Sequence, residues 1–266
     1  MTPEEVEVET VLHRASHNTT RATADSSFFM GNRAPTLPTP SEVRAINKAL
    51  GGFFCTNFRR PRPVMFPSLG LIVKYGGDIT VTEAKTQIML HTQFKGKVPV
   101  PEVFGWAEDG GQVFVYMSLI DGGTLEQRWS ALNEEERVAD SPTAFTWPAH
   151  STVQTPSSML FQQSCDIDID GPVPVVFTHA DLVPPNILLS PGPNPVVAAI
   201  IDCGQAGWYP AYWDYCKARR VRPNPEYFDD ELDEEWNMKY LPLILEPVDE
   251  EMVYHPWLWF VLSKGI

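Results

Sequence analysis

Three side chains suited to moving a proton and holding a cation lie close together between Val175 and Leu189: His179, Asp181 and Asn186. The stretch reads as an apolar run, a polar cluster and a second apolar run, the pattern of two short buried strands joined by a loop. Pro184 and Pro185 exclude a helix between them, so a tight loop is expected to present the polar residues. A further apolar run, Val196 to Ile201, ends on Asp202. A carboxylate at the end of a buried strand is uncommon unless it binds something. Asp181 can accept a proton from a hydroxyl. Asn186 offers an amide oxygen, and Asp202 a carboxylate, to a hard cation such as Mg²⁺, which takes oxygen ligands. A lone His-x-Asp is usually a capped turn; the Asn five residues after Asp181 and the strand-terminal Asp202 favour the chemical reading.

His179-x-Asp181-x4-Asn186, followed by Ile201-Asp202, resembles the aminoglycoside phosphotransferase and choline kinase family, a branch of the protein-kinase-like fold. The wording Phe177-Thr178-His179-Ala180-Asp181-Leu182, with Ile201-Asp202-Cys203-Gly204-Gln205-Ala206-Gly207-Trp208-Tyr209-Pro210, is similar to its fungal members. The resemblance implies an α/β (α+β), two-lobed fold: a small sheet lobe with one helix over about 41–118, and a mainly helical lobe over about 119–266 carrying the catalytic loop 177–189. It implies ATP and Mg²⁺ as cofactors and a hydroxyl of a small molecule as phosphoryl acceptor. Asp181 would be catalytic with His179 supporting the loop, and Asn186 and Asp202 would hold the metal. Lys74 would grip phosphates, paired with Glu83 on the following helix. The backbone around Met117 and Leu119 would hold the adenine ring, and Asp214 would brace the loop. The alternative is a kinase-like binding protein without turnover.

The elements that must position these residues are partly legible. Leu69 to Gly76 has the alternation of a strand, with Leu71, Val73 and Tyr75 on one face and Ile72 and Lys74 on the other. Thr80 or Thr82 can cap a helix running to about Phe94. Ser41 can cap a short helix over Glu42 to Leu50, stopped by Gly51 and Gly52. Val103–Ala107 and Gln112–Ser118 flank Glu108-Asp109-Gly110-Gly111 as a hairpin. Thr124-Leu125-Glu126-Gln127 opens a helix expected to reach about Arg137. Pro210 suits the first turn of a helix that carries Tyr212, Trp213 and Cys216. Residues 1–40 read as a poorly ordered tail and 138–174 as a short polar connection, which shortens the chain relative to the family and would leave the closing helices without their usual cover. Three departures stand out: no glycine-rich loop before Lys74, Val183 where the family often has His, and Cys203 where an aromatic is common.

Composition narrows the classes. The formal net charge of −14 over 266 residues disfavours a nucleic-acid partner. No apolar stretch reaches the length of a membrane span, and the acidic start lacks the apolar region of a secretory signal. Cys55, Cys165, Cys203 and Cys216 show no paired spacing, so a reduced, cytoplasmic setting is expected. The oligomeric state is open at this level.

Overall fold

The computed structural model describes residues 20–139 and 173–264. The expected polar connection, apart from its two ends, and the Asp166-Ile167-Asp168-Ile169-Asp170 run lie outside the described residues, as does the first part of the expected tail. The chain divides into two compact units: Met1–Ile88 with Pro101–Leu119, and Met89–Val100 with Ile120–Ile266. Both mix helix and strand, as an α/β (α+β) class requires.

The first unit is built on a five-stranded antiparallel sheet in the order β1-β4-β5-β3-β2. Its elements are β1 (Arg21–Ala22), α1 (Ser27–Met30), α2 (Pro40–Leu50), β2 (Val64–Phe66), β3 (Leu71–Gly76), α3 (Val81–Gln93), β4 (Val103–Asp109) and β5 (Gln112–Ser118). Alternation in β3 does what its sequence demands. Leu71, Val73 and Tyr75 pack with Phe28, Val43, Phe104 and Phe114. Ile72, on the opposite face, joins Ile79, Ala84, Val103, Val115 and Met117. Thr80 caps α3, its hydroxyl accepting the Glu83 N–H at 3.2 Å.

Two expectations are corrected here. Residues 21–40 are not a loose tail: β1 pairs with β4, and Phe28 is fully buried. Ser27 also donates to Glu102 through both its N–H and its hydroxyl. Aperiodic sequence rich in Thr, Ser, Ala and Pro hid this because the gain comes from an added edge strand and one aromatic anchor. The cap of α2 is Thr39 rather than Ser41, in a reciprocal capping box with Glu42. Pro40 occupies the first helical position, where no N–H is needed.

The second unit begins inside α3, at Met89. Leu90, Phe94, Val98 and Val100 enter a core with Leu125, Trp129, Phe177, Leu182, Ile187, Leu189, Ile200, Trp236, Tyr240 and Leu241. β6 (Gly123–Thr124) pairs with β8 (Ile187–Leu189), which pairs with β9 (Val197–Ile200); β7 (Val175–Thr178) pairs with β10 (Gly207–Pro210). The helices are α4 (Leu125–Arg128), α5 (Glu134–Ala139), α6 (Trp213–Arg220), α7 (Asp230–Glu235), α8 (Leu241–Ile244) and α9 (His255–Lys264), with π-helical turns at Trp236–Tyr240 and Glu250–Tyr254.

The helix expected over Thr124 to Arg137 is interrupted. Its Thr124 capping box with Gln127 is present, but α4 ends at Arg128 in a 3₁₀ turn. Asn133 then caps a fresh helix, exchanging bonds with Glu136. Asn competes for backbone groups, so it restarts helices better than it continues them. Pro210 does not open a helix; it ends β10 opposite Val175, and α6 starts at Trp213.

The closing helices do find cover. The Trp129 ring lies within 5.7 Å of Phe228, 5.2 Å of Trp236 and 4.7 Å of Tyr240, centroid to centroid. Trp257 and Val261 of α9 are buried with Cys216. Trp259 and Leu262 remain exposed on the outer side of α9.

Candidate active site

The loop after β7 is shaped by one buried carboxylate. Asp214, near the start of α6, accepts the His179 N–H at 3.2 Å on one oxygen and the Ala180 N–H at 2.6 Å on the other. Two consecutive amides converge on one side chain because Ala180 adopts a left-handed conformation, φ +57°. For a residue with a Cβ this costs about 1–2 kcal/mol, a strain that persists only where surrounding bonds enforce it. Burial pushes the Asp214 acid up to about 7, against the opposing pull of the two amide bonds.

His179 is fully buried, and burial lowers its pKa to about 4. The ring is therefore neutral near pH 7. Its Nε2 lies 3.1 Å from the Ile201 carbonyl, which can only accept, so Nε2 carries the proton. His179 thus supports the loop and is too enclosed to exchange protons with a substrate.

Ile201 couples the two halves of the site. Its carbonyl takes the His179 bond, and its N–H donates to the Asn186 carbonyl at 2.9 Å. Asp202 follows directly, in a left-handed conformation at φ +63°, ψ +56° that turns the chain out of β9. Pro184 and Pro185 do not exclude helical geometry altogether: they open the 3₁₀ turn Pro184–Asn186, where missing N–H groups cost nothing.

Asp181 and Asn186 meet as the spacing predicts. The Asn186 amide nitrogen donates to the Asp181 backbone carbonyl at 2.9 Å and to its Oδ2 at 3.0 Å. That orientation commits Asn186 Nδ2 to the loop and leaves Oδ1 as its remaining ligand atom. Oxygen from Asn186 and Asp202 is the donor chemistry a Mg²⁺ ion takes, so the residues present fit that ion.

Lys217 and Gln205 were missed by sequence reasoning. Lys217 Nζ bonds Gln205 Oε1 and stands 3.6 Å from Asp181 Oδ1. The available signal was helical: Lys217 lies three residues after Asp214 on α6, so the two share a face.

In the first unit, Lys74 Nζ and Glu83 Oε1 are 2.5 Å apart, with Glu83 buried and Lys74 partly so. The pair expected from the resemblance therefore forms. Met117 is buried in β5 beside Ile72. The Leu119 N–H donates to the Gly70 carbonyl at 2.9 Å, which takes that amide out of any adenine contact and leaves its carbonyl. In place of a glycine-rich loop, β2 and β3 are joined by the 3₁₀ turn Pro67–Leu69 and left-handed Gly70. Arg33 clamps the turn through the Leu69 and Gly70 carbonyls, each at 3.3 Å. Val183 and Cys203, the other two departures, are both buried in the second unit's core, where an apolar side chain suits the position.

The description "Phosphotransferase enzyme family" belongs to the family model that matches residues 161–247. The matched third of the chain, which carries the loop, is similar to this phosphotransferase family. It contains His179, Asp181, Asn186, Asp202, Asp214 and Lys217, all within the matched residues. No curated protein matches the chain. Among solved structures the chain is similar to an aminoglycoside-3'-phosphotransferase of type VIII, at 21% identity and a TM-score of 0.47, over 71% of this chain and 83% of that one. The fold is of mixed α/β type, with an antiparallel sheet and several helices among the described residues. Among the described residues no helix is long and apolar enough to cross a membrane.

Proposed function

We propose that the protein transfers the γ-phosphoryl group of ATP to a hydroxyl of a small molecule, with Mg²⁺ as cofactor. Asp181 orients and deprotonates the acceptor hydroxyl. Asn186 and Asp202 hold the metal, which when bound neutralises phosphate charge. Lys74, kept in place by Glu83, binds nucleotide phosphates. Such chemistry needs positioning and charge neutralisation more than covalent help from the protein.

The observation that supports this reading best is the Ile201 peptide. It is bonded to His179 on one side and Asn186 on the other, and so fixes Asp202 relative to the loop that carries Asp181. Isolated capped turns do not require such a link. The net charge of −14 supports a small-molecule acceptor over nucleic acid, and a cytoplasmic setting remains part of the proposal.

The test has two stages. Mg·ATP should raise the thermal midpoint, since a ligand of the native state stabilises by mass action. ATP consumption should then be screened against hydroxyl-bearing metabolites and aminoglycosides. The clamped turn at Pro67–Gly70 favours a second reading, a kinase-like binding protein without turnover. Mg·ATP binding with no consumption in any acceptor would select it.

A further inference from the structure

We propose that Lys217 is a positioning residue for the phosphoryl-transfer reaction, holding the Asp181 carboxylate so that one oxygen is presented to the acceptor hydroxyl. The inference rests on the phosphotransferase reading above.

The two oxygens of Asp181 are treated differently. Oδ2 accepts the Asn186 amide at 3.0 Å, which occupies it and ties it to the metal-binding side. Oδ1 faces Lys217 Nζ at 3.6 Å. That separation is beyond a hydrogen bond but well inside the range of a strong charge interaction. Oδ1 therefore keeps its lone pairs open to a hydroxyl while the ammonium fixes where it points. Lys217 is itself held: its Nζ donates to Gln205 Oε1, and its side chain is only 18% exposed. Screening by water is weak for a group so enclosed.

The source of this arrangement is α6. Asp214 and Lys217 share one face of that helix. Asp214 grips the backbone of His179 and Ala180, and Lys217 addresses the side chain of the next residue, Asp181. One helix thus sets both the path of the loop and the rotamer of its reactive group. The loop supplies no cation of its own: between His179 and Asn186 the residues are Ala180, Asp181, Leu182, Val183, Pro184 and Pro185.

The experiment uses the full chain, Mg·ATP as nucleotide and water as the phosphoryl acceptor. Binding is read from the thermal shift and turnover from phosphate release. Lys217→Met keeps the length of the stem and removes the charge. It should bind Mg·ATP with the parent's KM and lose about 10–100-fold in kcat, less than the loss of the general base itself. Lys217→Arg should recover most of that loss, which a packing role would not produce. Gln205→Leu, an exposed site, removes the tether and should lower kcat by a smaller factor even if Lys217→Met folds poorly. Parent-like kcat in Lys217→Met, with Asp181→Asn inactive, would overturn the inference and leave the phosphotransferase reading standing. Absence of Mg·ATP binding in the parent, or of turnover with water and with every screened hydroxyl acceptor, would overturn that reading, and this inference with it.

Discussion

His179 Nε2 and the Ile201 carbonyl lie 3.1 Å apart, and this bond joins the loop bearing Asp181 to the strand end bearing Asp202. The ring is neutral and buried, so its part is architectural. Replacing it with Leu should leave the carbonyl unsatisfied at a cost of about 1–3 kcal/mol. The urea midpoint should fall accordingly, and Mg·ATP affinity should fall with it because Asp202 loses its register. An unchanged midpoint would show that the bond contributes nothing net.

Asp181→Asn removes the charge and keeps the shape. The fold should persist, and turnover should drop by about two to four orders of magnitude, the size of a general-base contribution. Phosphoryl transfer at the parent's rate, with circular dichroism unchanged, would refute the assignment.

Asp202→Ala should abolish Mg²⁺-dependent nucleotide binding, since few protein ligands hold such an ion. Asn186→Ala should weaken it less, and should also slow turnover by releasing Asp181 Oδ2. Isothermal titration with Mg·ATP separates the two. Equal affinity in Asp202→Ala and parent would reduce Asp202 to a strand-end residue.

Two buried groups of the loop give opposite pH dependences. Asp214 is raised from 3.8 to about 7, so the folded chain holds a proton that the unfolded chain has released. Its contribution is present below the unfolded value and is lost as pH rises through 7. His179 is lowered from 6.5 to about 4, so its contribution is present above the unfolded value and is lost as pH falls through 4. Between pH 4 and 6.5 the slopes oppose each other. Asp214→Asn removes the falling limb. Its stability should rise more steeply with pH than the parent's across that window, by up to about 1.4 kcal/mol per pH unit for one proton. Urea titrations at several pH values give both slopes; identical slopes would mean that Asp214 does not hold its proton.

Trp129 is the hub of the second unit's aromatic packing, and the Arg137 guanidinium lies over its ring at 4.9 Å. Trp129→Ala should cost about 3–5 kcal/mol. The denaturation midpoint reads this directly. A loss below about 1 kcal/mol would mean that the closing helices hold without it.

What the sequence determined by itself was the local chemistry. The order His179, Asp181, Asn186 and the placement of Asp202 after an apolar run follow from covalent spacing and strand periodicity, and so does the place of Lys74 on the face of β3 opposite Leu71, Val73 and Tyr75. The Lys74–Glu83 pair was legible only through the family resemblance, since by themselves the two read as a surface Lys and a first-turn Glu. Tertiary structure decided everything that depends on backbone atoms or on distant partners. The Ile201 peptide carries no side-chain signature, so its double role was invisible. Lys217 follows Asp181 by more than thirty residues and gains its role only when α6 packs on the loop. The burial of Phe28 and the shared cover over Trp129 likewise require partners far along the chain. Periodicity reports which face of an element is apolar; only the packed chain decides what that face meets.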